Sequence, residues 1–397
     1  MRDTSLPTLL FYCQHSLGIG HLTRSFALAA ALTHHFRVVF LNGGRLPPGV
    51  PVPPAIERID LPPLGMDDGH TVVSRDATLD VDHARAERRR LIEAAVTHTR
   101  PAVLLVELFP FGRKKFAAEI LPMIRAARRQ SGGAALVACS LRDILVNVRP
   151  DQRRHDDRAR RLADRYFDAV IVHADPAFAR LEDSFHPTRP MRTPVLHSGF
   201  VVPARDSAIS APRGEHLLVS AGGGIVGDAL FRTALAARAH LAPPLPMRII
   251  AGPFLPEPHW QALQGQVEGL PGIELVRHVG DMVLEMRSAR ASLSQCGYNT
   301  ALDLVVSGVP ALVVPYQTAT ENEQGQRAER LAALGALLQL GADTLRPDTL
   351  AAAIARLLAF TPRPAALALD GAGRSARLLV KLLAQHRRTL EAPCLTH

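Results

Sequence analysis

Residues 277–335 read RHVGDMVLEMRSARASLSQCGYNTALDLVVSGVPALVVPYQTATENEQGQRAERLAALG. Two short apolar runs, ARASLSQ from Ala289 and PALVVPY from Pro310, each end in polar or glycine residues and each precede a helical pattern. That strand, loop, helix grammar belongs to a parallel sheet. Ligands of such sheets bind beyond the carboxyl ends of the strands. The residues expected there are Gln295, Gly297, Asn299, Thr300 and Asp303 after the first run, and Thr320, Glu323, Gln324 and Arg327 after the second.

Working outward, the same grammar recurs. His216–Ser220 is a strand that breaks into AGGGIVGD, where Gly222, Gly223 and Gly224 leave the backbone free to approach a ligand and a helix from about Asp228 points its amides at the same place. That arrangement suits a diphosphate. Met247–Gly252, Ile273–Val276, Ala291–Ser294 and Ala311–Pro315 complete this sheet. Upstream, Thr8–Gln14 leads through HSLGIG into a helix from about His21 to Thr33. Gly18 and Gly20 permit a tight turn, but a full dinucleotide fingerprint needs glycine at Thr23, so NAD is disfavoured. Strands at Arg37–Asn42, Ala102–Glu107, Ala135–Cys139, Ala169–Val172 and Thr193–His197 follow, with Asp67–Arg100 expected to be mostly helical. Their exits carry Glu107, then Arg142 and Asp143, then His173 and Asp175, then Ser198, on the edge that also holds Gly20, His21 and Arg24. Several polar exits in succession imply a lined cleft.

At 397 residues the chain exceeds one ordinary core. The expected organisation is α/β: an N-terminal domain over 1–202, a linker over 203–214 where periodicity gives way to Pro, Ser and charge, a second domain over 215–372, and a helix and tail over 373–397 packing back on the first domain. The net charge of +9 and the arginine clusters allow contact with anionic partners. With 5% aromatic residues and no basic-aromatic platform, nucleic acid is disfavoured. No apolar run is long enough to span a bilayer, no signal sequence is visible, and a cytoplasmic location with peripheral contact at an anionic membrane face is expected. Cys13, Cys139, Cys296 and Cys394 form no ligand cluster. Asp80-Val81-Asp82 matches the DxD pattern of metal-dependent transferases, but carboxylates at a helix start have a structural explanation; no metal and no cofactor are expected.

On these residues the chain resembles the MurG-like inverting glycosyltransferases of GT-B fold, and more closely a branch of predicted glycosyltransferases. The similarity is strongest over residues 277–335 and at GIGHLTR, with FPFG, SLRDIL, HADP and SGF matching the closer branch. The resemblance implies two Rossmann-like doubly wound domains facing across a cleft. It also implies a UDP-sugar such as UDP-GlcNAc in the C-terminal domain and an acceptor, whose identity the sequence leaves open, in the N-terminal one. By the same resemblance Val279 contacts the base, Asp303 the ribose, Glu323 and Gln324 the sugar, and Gly222–Gly224 with Thr300 the diphosphate; Gly297 and Asn299 complete the donor set. Asp303 stands where the family usually has glutamate, and Arg327 where its QxxNA segment has asparagine, so that Arg327 is free to pair with Glu323 instead of ligand. His21 matches the family's loop histidine and is a suitable base, with Glu107 orienting the imidazole or taking the proton itself. A UDP-sugar epimerase or hydrolase of the same fold and a non-catalytic nucleotide-sugar-binding subunit are the alternatives.

Overall fold

A computed structural model describes residues 6–15, 20–47, 50–67, 71–204 and 212–391. The N-terminal half runs β1 (Thr8–Cys13), α1 (Gly20–Leu32), β2 (Arg37–Asn42), β3 (Glu57–Asp60), β4 (Leu64–Asp67), β5 (Thr71–Ser74) and α2 (Val81–Thr99). It continues through β6 (Val103–Glu107), α3 (Ala117–Gln130), β7 (Leu136–Arg142), α4 (Gln152–Tyr166), β8 (Ala169–His173) and β9 (Val195–His197). The C-terminal half runs β10 (Leu217–Ser220), α5 (Asp228–Arg238), β11 (Met247–Ile250), α6 (Glu257–Val267), β12 (Ile273–Val276), α7 (Met282–Ser288) and β13 (Ala291–Ser294). Then come α8 (Tyr298–Ser307), β14 (Ala311–Val313), α9 (Glu323–Ala333), β15 (Leu338–Gln339), α10 (Pro347–Leu358) and α11 (Gly371–Glu391).

Two parallel sheets result, ordered β3-β2-β1-β6-β7-β8-β9 and β12-β11-β10-β13-β14-β15. In both, the order reverses beside the first strand of the half, so the crevices at β1/β6 and β10/β13 are the places where loops diverge and ligands enter. Central strands such as β6 are buried along their whole length because helices cover both faces. Each fully buried Leu or Val there contributes about 1.5–3 kcal/mol relative to exposure. One apolar core runs from Leu104 and Val106 through Phe200 and Tyr298 into Ala301 and Val313, so the two halves share buried surface rather than meeting across water alone.

The expectation of helix across 67–100 holds only from residue 81. Leu64–Asp67 and Thr71–Ser74 pair as an antiparallel hairpin. The helix starts late because Asp80 caps it, its side chain accepting from the amides of Asp82 and His83. The DxD carboxylate is therefore a helix cap. The polar edge strand β3 and the arginine-rich α4 carry no apolar run, and β15 is only two residues long; none was expected from sequence.

The linker expected at 203–214 falls largely on 205–211, outside the described residues, as do Gly18 and Cys394. The chain passes between the halves a second time over 359–370, and the two crossings pair: Phe200 N donates to Ala368 O at 2.7 Å and Gly371 N to Phe200 O at 2.9 Å. A Cβ at Gly371 would stand 2.2 Å from Gly199 O, so the close approach requires glycine. Beyond this point α11 returns to the first half, where Leu379 and Leu383 share a core with Leu22 and Phe26 of α1.

Candidate active site

His21 and Arg24 are three residues apart near the start of α1 and share a face. Glu107, the last residue of β6, is fully buried beneath them. Its Oε1 lies 2.6 Å from His21 Nδ1 and accepts from Arg24 Nη2 at 2.6 Å. The carboxylate partner assigns the proton to Nδ1, which leaves Nε2 as the basic nitrogen. His21 keeps 16% of its side chain exposed, whereas Arg24 keeps 2%. The exposed part is what a substrate can reach.

After β6 the backbone turns sharply, with Leu108 at φ 65° and Arg113 at φ 56°, both left-handed. This turn returns Arg113 to the site, its Nε 3.9 Å from Glu107 Oε2. Sequence reading missed Arg113, because FGRKK looks like the charged start of a helix. Burial pushes the His21 imidazole down to about 4, against the pull of Glu107 and with the help of Arg113 and Arg24. Burial also pushes Glu107 up, but His21, Arg113 and Arg24 outweigh it and hold the carboxyl at about 2. At neutral pH the pair is therefore a neutral imidazole on an ionised carboxylate.

Opposite stands the start of α8. Asn299 Nδ2 donates to Gly20 O at 3.2 Å, which puts the amino end of α8 against the residue before His21. Gly297 caps this helix with extended backbone, and nothing lies within 4 Å of where its Cβ would be. Thr300 Oγ1 lies 3.4 Å from the Cβ position of Gly222, so the glycine loop after β10 packs beside the first turn of α8. Gly222 and Gly224 have φ of 57° and 87°, and a Cβ at Gly224 would meet Ala251 O at 2.1 Å. Gln324 Oε1 accepts from Cys296 N at 3.0 Å and Tyr316 N at 3.1 Å, tying together the exits of β13 and β14. Asp303 is half-buried on α8, and Val279 is half-buried in the turn before α7.

The remaining expected residues divide differently. Asp143 accepts from Arg327 Nε at 2.7 Å and Nη2 at 2.9 Å, and Arg327 also donates to Glu323 and to Cys296 O. Arg142 pairs with Glu323 at 2.6 Å. Arg327 thus pairs with Glu323, as its position four residues on allows, and the Glu323 carboxylate is committed to two guanidiniums. His173 does not line the cleft: its ring is buried between Ser140 Oγ at 2.7 Å and Ser198 Oγ at 3.0 Å, and burial holds it down to about 3. Asp175 is spent on the amides of Ala177 and Ala368. Among the described residues no group of three or more His, Cys, Asp or Glu side chains is placed to hold a metal.

Residues 248–383 match the glycosyltransferase family 28 C-terminal domain. A 114-residue stretch is 35% identical to the UDP-N-acetylglucosamine--N-acetylmuramyl-(pentapeptide) pyrophosphoryl-undecaprenol N-acetylglucosamine transferase of Mesorhizobium japonicum, covering 28% of this chain and 30% of that protein. The aligned part thus spans about a third of the length of the curated relatives it matches. Over nearly the whole chain the fold is similar to that of MurG from Acinetobacter baumannii, with TM-score 0.52 and 16% identity over 96% of this chain and 95% of that one. It is also similar to a UDP-glucosyltransferase from Polygonum tinctorium, with TM-score 0.58 and 18% identity over 98% and 95%. The chain is MurG-like in its C-terminal half, and the whole chain has the GT-B fold of two Rossmann-like domains expected from sequence.

Proposed function

We propose that this protein is a glycosyltransferase that moves a sugar from a UDP-sugar, with UDP-GlcNAc the first donor to try, onto an acceptor hydroxyl with inversion at the anomeric carbon and without a metal. The observation that carries this reading is the contact between Asn299 and Gly20, which sets the His21–Glu107 pair beside the amino end of α8. The C-terminal match to family 28 supports the donor half, and the transferases it resembles use UDP-N-acetylglucosamine.

In this reading the diphosphate lies over Gly297, Thr300 and the loop at Gly222–Gly224, where backbone amides and the α8 terminus stabilise negative charge as it grows on the leaving group. His21 Nε2 accepts the proton of the acceptor hydroxyl while the new C–O bond forms, and UDP departs from the opposite face with the bonding electron pair. Ionised Glu107 offsets the imidazolium that results. Asp303 and Val279 serve the nucleoside and Gln324 the sugar. Glu323, tied to Arg142 and Arg327, acts on the sugar only through its neighbours.

The acceptor would enter beside His21 on the N-terminal domain. On that domain a groove of about 410 Å³ is lined by Leu64, Asp82, Arg85, Arg89, Lys115, Phe116 and Glu119; Glu119 is paired with Arg88, and Arg85, Arg89 and Lys115 make no ion pair among the described residues. No described helix is long and apolar enough to cross a membrane. As part of this proposal the enzyme is cytoplasmic and touches an anionic membrane face through the cations of this groove.

The test is a UDP-release assay of several donors with extracts and defined acceptors, followed by anomeric assignment of the product. Release of UDP only with acceptor, and an inverted linkage, is expected. An epimerised free sugar formed without acceptor overturns transfer, and a retained linkage overturns inversion.

A further inference from the structure

Arg113 is placed by an unfavourable backbone conformation. Its φ of 56° lies in the left-handed region that non-glycine residues seldom occupy, and Leu108 at the other end of the same turn shares it. Such an outlier persists when the surroundings over-determine it, and here it delivers a guanidinium to a carboxylate. Arg113 Nε lies 3.9 Å from Glu107 Oε2, and neither atom makes a hydrogen bond among the described residues. The other oxygen, Oε1, is already shared by His21 and Arg24.

The groups facing the pair come from every neighbouring element, and almost all are uncharged at neutral pH. From β1 and its exit, burial pushes the Cys13 thiol up to about 12 and His15 down. From β7 and β8, burial raises Cys139 and lowers His173 to about 3. From α8, burial raises the Tyr298 phenol. Arg24 and Arg113 are left as the charges acting on Glu107 and His21. Arg24 is pinned to Oε1 by a direct hydrogen bond; Arg113 acts across a gap, so its contribution is electrostatic rather than a matter of holding geometry.

We propose that Arg113 is a positioning residue for the His21–Glu107 pair, its guanidinium keeping the carboxylate ionised and the imidazole neutral so that Nε2 is ready to accept a proton. This rests on the reading of His21 as the base for its consequence in turnover, and on geometry alone for its effect on His21. A positive charge nearby disfavours a second one on the imidazole and favours the anion on Glu107. Removing it raises the proton affinity of both, and the acid limb of turnover moves to higher pH.

The variants are Arg113→Gly, which deletes the charge and suits a left-handed position, so it should fold, and Arg113→Lys, which restores the charge. The readout is the titration of His21 in ring-labelled protein by NMR, its signal identified by loss in His21→Gln. In Arg113→Gly the His21 titration should rise by about one pH unit or more, and Arg113→Lys should return it most of the way. The acid limb of UDP release should follow in the same order with the donor KM unchanged. A His21 titration that stays put in Arg113→Gly overturns the inference, whatever the enzyme does. A titration that moves while the wild-type protein transfers no sugar sustains the inference and defeats the functional reading instead.

Discussion

Two buried ionic clusters meet at Tyr298, whose ring centroid lies 5.1 Å from the Arg24 guanidinium and 5.9 Å from that of Arg327. In sequence they look alike, each a few charged residues at strand exits and helix starts. In space they differ. The cluster of Arg142, Asp143, Glu323 and Arg327 joins the two domains, and both oxygens of Asp143 are engaged by one planar guanidinium. The cluster of His21, Arg24, Glu107 and Arg113 belongs to one domain and keeps a partly exposed imidazole and buried atoms without hydrogen-bond partners. A satisfied network fixes an arrangement, whereas chemistry needs capacity held in reserve for a substrate.

The sharpest way to break this contrast is to remove one member of each. His21→Ala should lower turnover by about 10²–10⁴-fold with little change in unfolding free energy, measured by UDP release and denaturant titration. Unchanged turnover would remove His21 from the chemistry. Arg327→Met should do the opposite, costing about 3–5 kcal/mol of stability because Asp143 is left charged and buried. The pair of changes Asp143→Leu with Arg327→Met should regain most of that loss, since both charges are then gone. If Arg327→Met instead left stability intact and raised the donor KM alone, the cluster would be a ligand site rather than a domain joint.

The contrast also has a pH signature. His21 is held at about 4, below its ordinary value, chiefly by burial. The active form carries the neutral imidazole, present above that value and lost as pH falls through it. Turnover should therefore stay level from pH 7 to about 5 and fall about tenfold for each unit below 4. A fall already between pH 7 and 6 would point to an imidazole in a more ordinary environment.

Most of the sheet framework was readable because central parallel strands are largely apolar on both faces, so β6, β8 and β14 announce themselves. The hairpin at 64–74 did not, since its alternation is short and lies next to a proline-rich stretch. Placing polar residues at strand exits brought His21 and Glu107 together, and the 2.6 Å contact is the one their positions suggested. The same rule overreached for His173 and Asp175, because a strand exit can turn inward: serines at 140 and 198 enclose that histidine. Arg113 was invisible because its placement depends on two left-handed residues, and neither Leu108 nor Arg113 is a residue type that signals such a turn. Arg327 was legible only as a departure, and its i, i+4 relation to Glu323 supplied one of its two carboxylate partners; the other, Asp143, comes from the opposite domain.

The smallest effects test the donor side, where two glycines separate structure from binding. At Gly224 an added Cβ meets Ala251 O at 2.1 Å with φ at 87°, so Gly224→Ala should cost about 1–3 kcal/mol and disturb the loop wherever the ligand lies. At Gly297 the backbone is one any residue adopts, with φ −62° and ψ 160°, and nothing lies within 4 Å of the Cβ position. Gly297→Ala should therefore change unfolding by less than about 0.5 kcal/mol. Its methyl would nevertheless project at the amino end of α8, into the space assigned to the diphosphate. A rise in the UDP-sugar KM of several-fold, with kcat and stability unchanged, is the expected result from steady-state kinetics and thermal melting. If KM in Gly297→Ala equals that of the wild type, the diphosphate does not lie over this helix, and the donor side would have to be rebuilt around the Gly222–Gly224 loop alone.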